Sequence, residues 1–124
     1  MAVPRITKEA LKARLDGGPD GAPVVLDARL KYPYEHSTVT LPGAIRIDPE
    51  APDTTQLSTD RDIVTYDSDP EELVSAKVAA LLIRKGYNAS ALQGGLPEWM
   101  TAKLPTDDKE APKQAPPKAG GLKG

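Results

Sequence analysis

The chain of 124 residues contains no cysteine. That absence excludes disulfides, thiolate metal sites, thiol nucleophiles and persulfides. Phenylalanine is also absent, and the chain has only one Trp and four Tyr. The length suits one domain, and its core must therefore be built mainly from Val, Leu, Ile and Ala.

Clustered positive charge and long apolar runs are missing as well. The net charge is −2, and no stretch is dense in Lys and Arg, which argues against nucleic acid as the main partner. No apolar run approaches the roughly 20 residues of a membrane-spanning helix, and residues 1–5 lack the apolar region of a signal peptide. We expect a cytoplasmic protein that binds neither nucleic acid nor membranes.

Amphipathic helices and short apolar strands alternate along the chain. The spacing of apolar residues predicts a helix over residues 6–15, a long helix after Pro70 that ends at Gly86, and a short helix from residue 96. Strands are predicted at residues 24–26, 44–47, 63–66 and 88–92, with a loop over 48–60. Buried strands that alternate with helices predict an α/β fold, with a small, mainly parallel sheet flanked by helices.

The composition changes after Leu104, where Pro, Lys and Gly replace the apolar residues. We therefore predict one domain over residues 1–104 and a disordered tail over residues 105–124.

The strongest candidate site follows the strand at residues 63–66, where an acidic loop leads into the long helix. In α/β proteins the carboxyl end of a strand and the amino end of the next helix commonly hold ligands and nucleophiles. The residues of this stretch are Asp67, Ser68, Asp69, Pro70, Glu71, Glu72, Leu73, Val74 and Ser75.

Three of these acids fit a helix start. The pattern places Asp69 at the N-cap, Pro70 at the first helical position and Glu72 three residues after the cap. We expect Asp69, Glu71 and Glu72 to stabilise the helix terminus, so that only Asp67 needs another explanation.

Several motifs in register resemble the rhodanese-homology domains. Residues 24–29 are similar to the family's strand that ends in Asp-x-Arg, and Tyr34 with residues 41–45 is similar to its Tyr…His-Ile-Pro-Gly-Ala segment. Residues 63–66 resemble the strand that delivers the catalytic Cys, and residues 86–99 follow in the family's order. The resemblance covers residues 6–104 and implies a rhodanese-like three-layer fold.

This resemblance places Asp67 where the family has a nucleophilic Cys that carries sulfur as a persulfide. Loop 67–75 is longer than the common sulfurtransferase loop, contains no Arg, and resembles a subgroup whose loop reads Cys-Ser-Cys-Pro-Asn-Glu, with Asp at both Cys positions. Thr40 also stands where the family usually has His. Since a carboxylate cannot hold a sulfane sulfur, we predict no sulfur transfer and assign no catalytic residue. We also assign no metal and no cofactor to the site.

We expect Asp67 to accept the loop N–H groups that face the thiolate in the family. The resemblance implies that Asp27 and Arg29 support the loop from beneath. The Asp67 to Glu72 face, together with Tyr32, Tyr34 and His36, would then contact another protein, as in a binding or regulatory module.

Other functions for the carboxylates stay open at this point. The run from Tyr66 to Asp69 resembles the Asp-x-Asp of haloacid-dehalogenase-type phosphatases, whose first Asp is the nucleophile. A phospho-accepting receiver domain has about this length but needs an acidic pair after its first strand, where this chain has Asp27 alone. The acidic loop could also bind Mg²⁺ or Ca²⁺ through clustered oxygen atoms.

Overall fold

Five short parallel strands form the main sheet of the computed structural model, which describes residues 3–18 and 20–109. The elements in chain order are β1 Arg5–Ile6, α1 Lys8–Asp16, β2 Val24–Asp27, α2 Lys31–His36, β3 Val39–Thr40, β4 Ile45–Arg46, β5 Ile63–Tyr66, α3 Leu73–Arg84, β6 Ala89–Leu92, α4 Gly95–Thr101 and β7 Asp107–Asp108. The main sheet has the order β1-β6-β5-β2-β4, and β3 pairs with β7 in a second, antiparallel sheet. The predicted α/β fold with a mainly parallel sheet is confirmed.

Helices cover both faces of the main sheet, because successive residues of its buried strands face opposite sides. On one face Val25 and Val64 pack with Leu11 of α1 and Trp99 of α4. On the other face residues of β2 and β5 pack with three residues of α3, namely Val78, Ala79 and Leu82. All four residues of β5 are buried, which places this strand at the centre of a three-layer structure.

The first helix begins later than its apolar spacing predicts. Thr7 is the N-cap, and its side chain accepts a hydrogen bond from the N–H of Ala10. Ile6 lies instead in β1, where it pairs with Leu92 of β6. The helical prediction over residues 6–15 missed this strand because a two-residue edge strand has no periodicity of its own.

The folded part also extends past the predicted boundary at Leu104. Strand β7 pairs with β3, the N–H of Lys109 donates to the carbonyl of Thr38, and the Asp107 side chain accepts from the N–H of Gly43. The indole N–H of Trp99 donates to the carbonyl of Pro105 at 2.8 Å. Residues 105–109 therefore belong to the ordered domain, and the remainder of the predicted tail lies outside the described residues.

Two shorter differences concern residues 30–47. The helix α2 and strand β3 lie in a segment for which the sequence analysis made no assignment, and β4 is shorter than the predicted strand at residues 44–47. Within the described residues, no helix is long and apolar enough to cross a membrane. The cytoplasmic location stays a prediction.

Candidate functional site

The candidate loop, residues 67–72, connects β5 to α3 at the carboxyl-end edge of the main sheet. Strands β2 and β6 flank β5 and run parallel to it. The loops that follow β2, β5 and β6 therefore meet at this edge, where α/β proteins commonly place functional groups.

The Asp67 carboxylate is buried and bonded at both oxygen atoms. Oδ2 accepts the N–H of Ser75 at 2.6 Å, and Oδ1 accepts the N–H of Asp69 at 2.8 Å. Only 2% of the Asp67 surface is exposed. Ser75 lies in the first turn of α3, whose N–H groups have no partner within the helix. We call the space bounded by these two N–H groups the donor pocket, and the Asp67 carboxylate fills it.

Burial raises the pKa of the Asp67 carboxyl above its ordinary value, because removal from water disfavours the charged form. The N–H groups of Ser75, Asp69 and Val74 lower the pKa, and the nearby negative charge of Asp69 raises it. The net shift is upward. Within the described residues no cation contributes to this pKa shift, and the groups that favour the charged form are backbone N–H groups.

The start of α3 differs from the predicted one, and the prediction of an N-cap at Asp69 is wrong. The helix begins at Leu73, with Glu72 as the N-cap and no side-chain cap bond. Asp69 instead accepts the N–H of Glu71 through Oδ1 at 2.8 Å, and Pro70 precedes the helix. The first-turn N–H of Ser75 is satisfied by Asp67, which lies eight residues earlier. The cap role that the sequence pattern favours for Asp69 is taken by Asp67.

Glu72 forms no capping box, and its side chain instead binds two segments that are distant in the sequence. It adopts the left-handed backbone conformation, with φ 59°, which costs free energy in a residue with a Cβ atom. Its Oε1 accepts the Nε–H of Arg5 at 2.6 Å, and its Oε2 accepts the N–H of Gly94 at 2.7 Å. These bonds tie the loop to β1 and to the turn after β6. The residue is 8% exposed, and its bond to Gly94 is buried whereas its bond to Arg5 is partly buried.

The turn after β6 contacts the backbone of the candidate loop. The N–H of Leu96 donates to the carbonyl of Asp67 at 2.9 Å. Gly95 has φ +63°, and a Cβ atom there would lie 2.8 Å from the carbonyl oxygen of Asp67 and 2.9 Å from that of Asp69. Only glycine permits this approach without a shift of the backbone.

Asp27 and Arg29 form a buried ion pair after β2. Nη2 of Arg29 lies 2.6 Å from Oδ2 of Asp27, and both side chains are 1% exposed. The same Nη2 donates to the carbonyl of Val39, and the N–H of Leu41 donates to the hydroxyl of Tyr66. Burial lowers the pKa of Arg29, but the hydrogen bond and charge of Asp27 outweigh it, so that the net shift is upward. The pair joins β2 to the chain around β3.

The three predicted contact residues of α2 differ in exposure. Tyr32 is 71% exposed and its ring stacks on that of His36, with centroids 4.1 Å apart. The Tyr34 ring is instead covered by cations, with the Arg46 guanidinium 4.1 Å and the Lys109 ammonium 4.3 Å from its centroid. Tyr34 is therefore a half-buried residue that packs against cationic side chains, whereas Tyr32 and His36 are exposed.

Sequence reasoning missed Arg5 and Gly94 as partners of the loop, and it missed one buried group. The Ser75 hydroxyl is fully buried and has no hydrogen-bond partner among the described residues. It belongs to the residue whose N–H binds Asp67. No local signal marks Arg5, which lies 67 residues from Glu72 in the chain.

Replacing Asp67 by Ala should lower the free energy of unfolding by about 2–4 kcal/mol, since two buried or partly buried N–H groups lose their acceptor. The matched control is Asp69→Ala, whose single bond to the N–H of Glu71 is exposed. It should cost less than about 1 kcal/mol. Urea unfolding of both variants measures the difference, and equal losses would contradict the account of Asp67.

Gly95→Ala should lower the free energy of unfolding by about 3 kcal/mol or more, because left-handed strain adds to contact with two carbonyl oxygens. Gly86→Ala is the control: Gly86 has φ +98°, but a Cβ atom there meets nothing within 4 Å. It should cost only about 1–2 kcal/mol. Thermal or urea unfolding compares them, and a Gly95→Ala variant no weaker than Gly86→Ala would show that the loop tolerates displacement.

Comparison with known proteins comes from a family model and from solved structures. The model described as Rhodanese-like domain matches residues 7–102. The BH2092 protein from Bacillus halodurans is 24% identical, with a TM-score of 0.74 over 85% of this chain and 77% of that one. A rhodanese-like domain protein from Staphylococcus aureus is 21% identical, with a TM-score of 0.64 over 77% of this chain and 90% of the other.

A third structure, the Alr3790 protein from Anabaena sp., is 30% identical, with a TM-score of 0.66 over 82% of this chain and 80% of that one. No curated protein sequence matches the chain significantly. The family model spans all the main-sheet strands except β1 together with all four helices. The chain therefore belongs to the rhodanese-like domain family.

Proposed function

We propose that this chain is a rhodanese-like domain that binds or regulates another protein and catalyses no reaction. The absence of cysteine removes the nucleophile of sulfur transfer. The observation that carries the proposal is the donor pocket, whose two N–H groups are already bonded to the protein's own Asp67 carboxylate.

Asp67 stands at the position of the family's thiolate. We infer that it catalyses no reaction there, because its carboxylate fills the donor pocket. A nucleophile or general base must reach its substrate. Asp67 is 2% exposed, and each oxygen atom accepts a backbone N–H. The carboxylate is bonded within the loop and has almost no exposed surface from which to attack a substrate.

The phosphatase-like and cation-binding alternatives gain no support from the geometry. Asp69, the second acid of Asp-x-Asp, bonds the N–H of Glu71, and Glu72 bonds Arg5. Among the described residues, no group of three His, Cys, Asp or Glu side chains is placed to hold a metal ion. The carboxylates of Asp67, Asp69 and Glu72 thus make separate backbone and ion-pair contacts.

The contact region that we propose is narrower than the predicted one, because Asp67 and Glu72 are buried and the half-buried Tyr34 ring is covered by cationic side chains. We call five of the exposed side chains in residues 30–36 and 71–73, which follow β2 and β5, the edge surface. They are Leu30, Tyr32, His36, Glu71 and Leu73. Leu30, Tyr32 and Leu73 are 44%, 71% and 62% exposed. An exposed Tyr and two exposed Leu suit a protein partner that offers apolar side chains.

The test has an enzymatic arm. Wild-type protein should convert thiosulfate and cyanide to thiocyanate no faster than a reaction without protein. Asp67→Cys should restore little activity, because the loop keeps Asp69 and Glu71 and still has no Arg. Turnover by the wild type would refute the proposal.

The binding arm compares Tyr32→Ala with Met100→Ala, an exposed apolar control on α4. A partner that co-purifies with the tagged wild type should be retained by Met100→Ala and lost by Tyr32→Ala. Retention by both variants would contradict the edge surface as the contact region. A small metabolite that stabilises the wild type but not Asp67→Ala would favour an enzyme instead.

A further inference from the structure

A cavity lies at the β4 end of the main sheet, two strands away from β5 and the donor pocket. Its volume is about 260 Å³. The lining residues are Leu26, Ile45, Arg46, Ile47, Asp53, Gln56 and Leu57. The sheet ends at β4, so the loop over residues 48–62 forms the outer wall where a further strand would lie.

The floor and one wall of the cavity are apolar. Leu26 and Ile47 are buried members of the core, and Leu57 packs against the same cluster. Ile45 of the edge strand β4 is 54% exposed, whereas most Ile residues are buried. The apolar part of a small ligand can therefore pack on residues that also belong to the core. The volume is just below the range of about 300–1,000 Å³ that holds drug-sized ligands, so a small compound suits it.

The positively charged lining residue, Arg46, binds groups outside the cavity. Nη1 of Arg46 donates to the carbonyls of Asp27 and Arg29, and the guanidinium lies 4.1 Å from the centroid of the Tyr34 ring. None of these three partners lines the cavity. The guanidinium is therefore held toward Asp27 and Tyr34, and no other lining residue carries a positive charge.

The negative charge is available. Asp53 accepts the N–H and the hydroxyl of Thr55 through Oδ1 alone. Its Oδ2 takes no hydrogen bond within the described part of the chain. These bonds from Thr55 also lower the pKa of Asp53, which keeps the carboxylate charged. The surrounding loop adds Asp48, Glu50 and Asp60 and contains no Lys or Arg between residues 47 and 60.

We propose that this cavity is a second binding site, for a small amine whose compact apolar body packs on Leu26, Ile45 and Leu57 while its ammonium group faces Asp53 and Gln56. The apolar walls supply most of the affinity, and the exposed carboxylate supplies the preference for a cation. The site is independent of the donor pocket and of the edge surface.

The test uses benzylammonium as the probe and phenylacetate as a control of similar size and opposite charge. Benzylammonium should shift the amide resonances of Ile45, Gln56 and Leu57 saturably, with a Kd on the order of a few millimolar for so small a ligand. Phenylacetate should bind about threefold more weakly or worse, as expected for one exposed charge.

Two variants test whether the Asp53 carboxylate is the group that attracts the ammonium group of the probe. Asp53→Asn keeps an oxygen for Thr55 and should raise the Kd for benzylammonium about threefold. Asp60→Asn, in the same loop but outside the cavity, should leave it unchanged. The proposal is overturned by the absence of saturable shifts at these residues, by equal binding of both probes, or by equal effects of the two variants.

Discussion

The buried Asp67 carboxylate is the interaction on which the rest of the site depends. It joins the end of β5 to the first turn of α3 by accepting the N–H groups of Asp69 and Ser75. Burial of a charge is costly unless hydrogen bonds compensate for it, and two backbone donors do so for Asp67. The carboxylate thereby holds the loop conformation between β5 and α3.

The loop around Asp67 is held from three directions. Arg5 and Gly94 bind the Glu72 side chain, Leu96 donates to the Asp67 carbonyl, and Gly95 lies against the loop backbone. This bracing lets Glu72 keep a left-handed conformation at an element boundary. A loop fixed in this way presents a constant outer surface, which suits recognition of a partner better than chemistry that needs an open pocket.

The sequence predicts much of this architecture but not the connections across it. Strand β5 coincides with the predicted residues 63–66, since a run of β-branched and aromatic residues fits a buried strand. The position of Asp67 at its end follows from the same pattern. The start of α3 differs from the predicted one. Asp69 and Pro70 form a strong local cap pattern, whereas the carboxylate that accepts the N–H of Ser75 belongs to Asp67, eight residues earlier.

Longer connections left no signal at all. The bond between Arg5 and Glu72 spans 67 residues, and β7 pairs with β3 through residues whose composition is typical of a tail. Such contacts depend on how distant segments meet, which periodicity and propensity do not encode.

The central claim is that the Asp67 carboxylate fills the donor pocket, and a pH titration of amide proton shifts tests it most directly. The amide protons of Asp69 and Ser75 should shift together, with a midpoint above the ordinary Asp pKa of about 3.9, since burial raises the pKa of Asp67. Asp67→Asn should abolish the shared transition and Asp69→Asn should retain it. Amide shifts that do not titrate, or that follow Asp69 instead, would contradict the account.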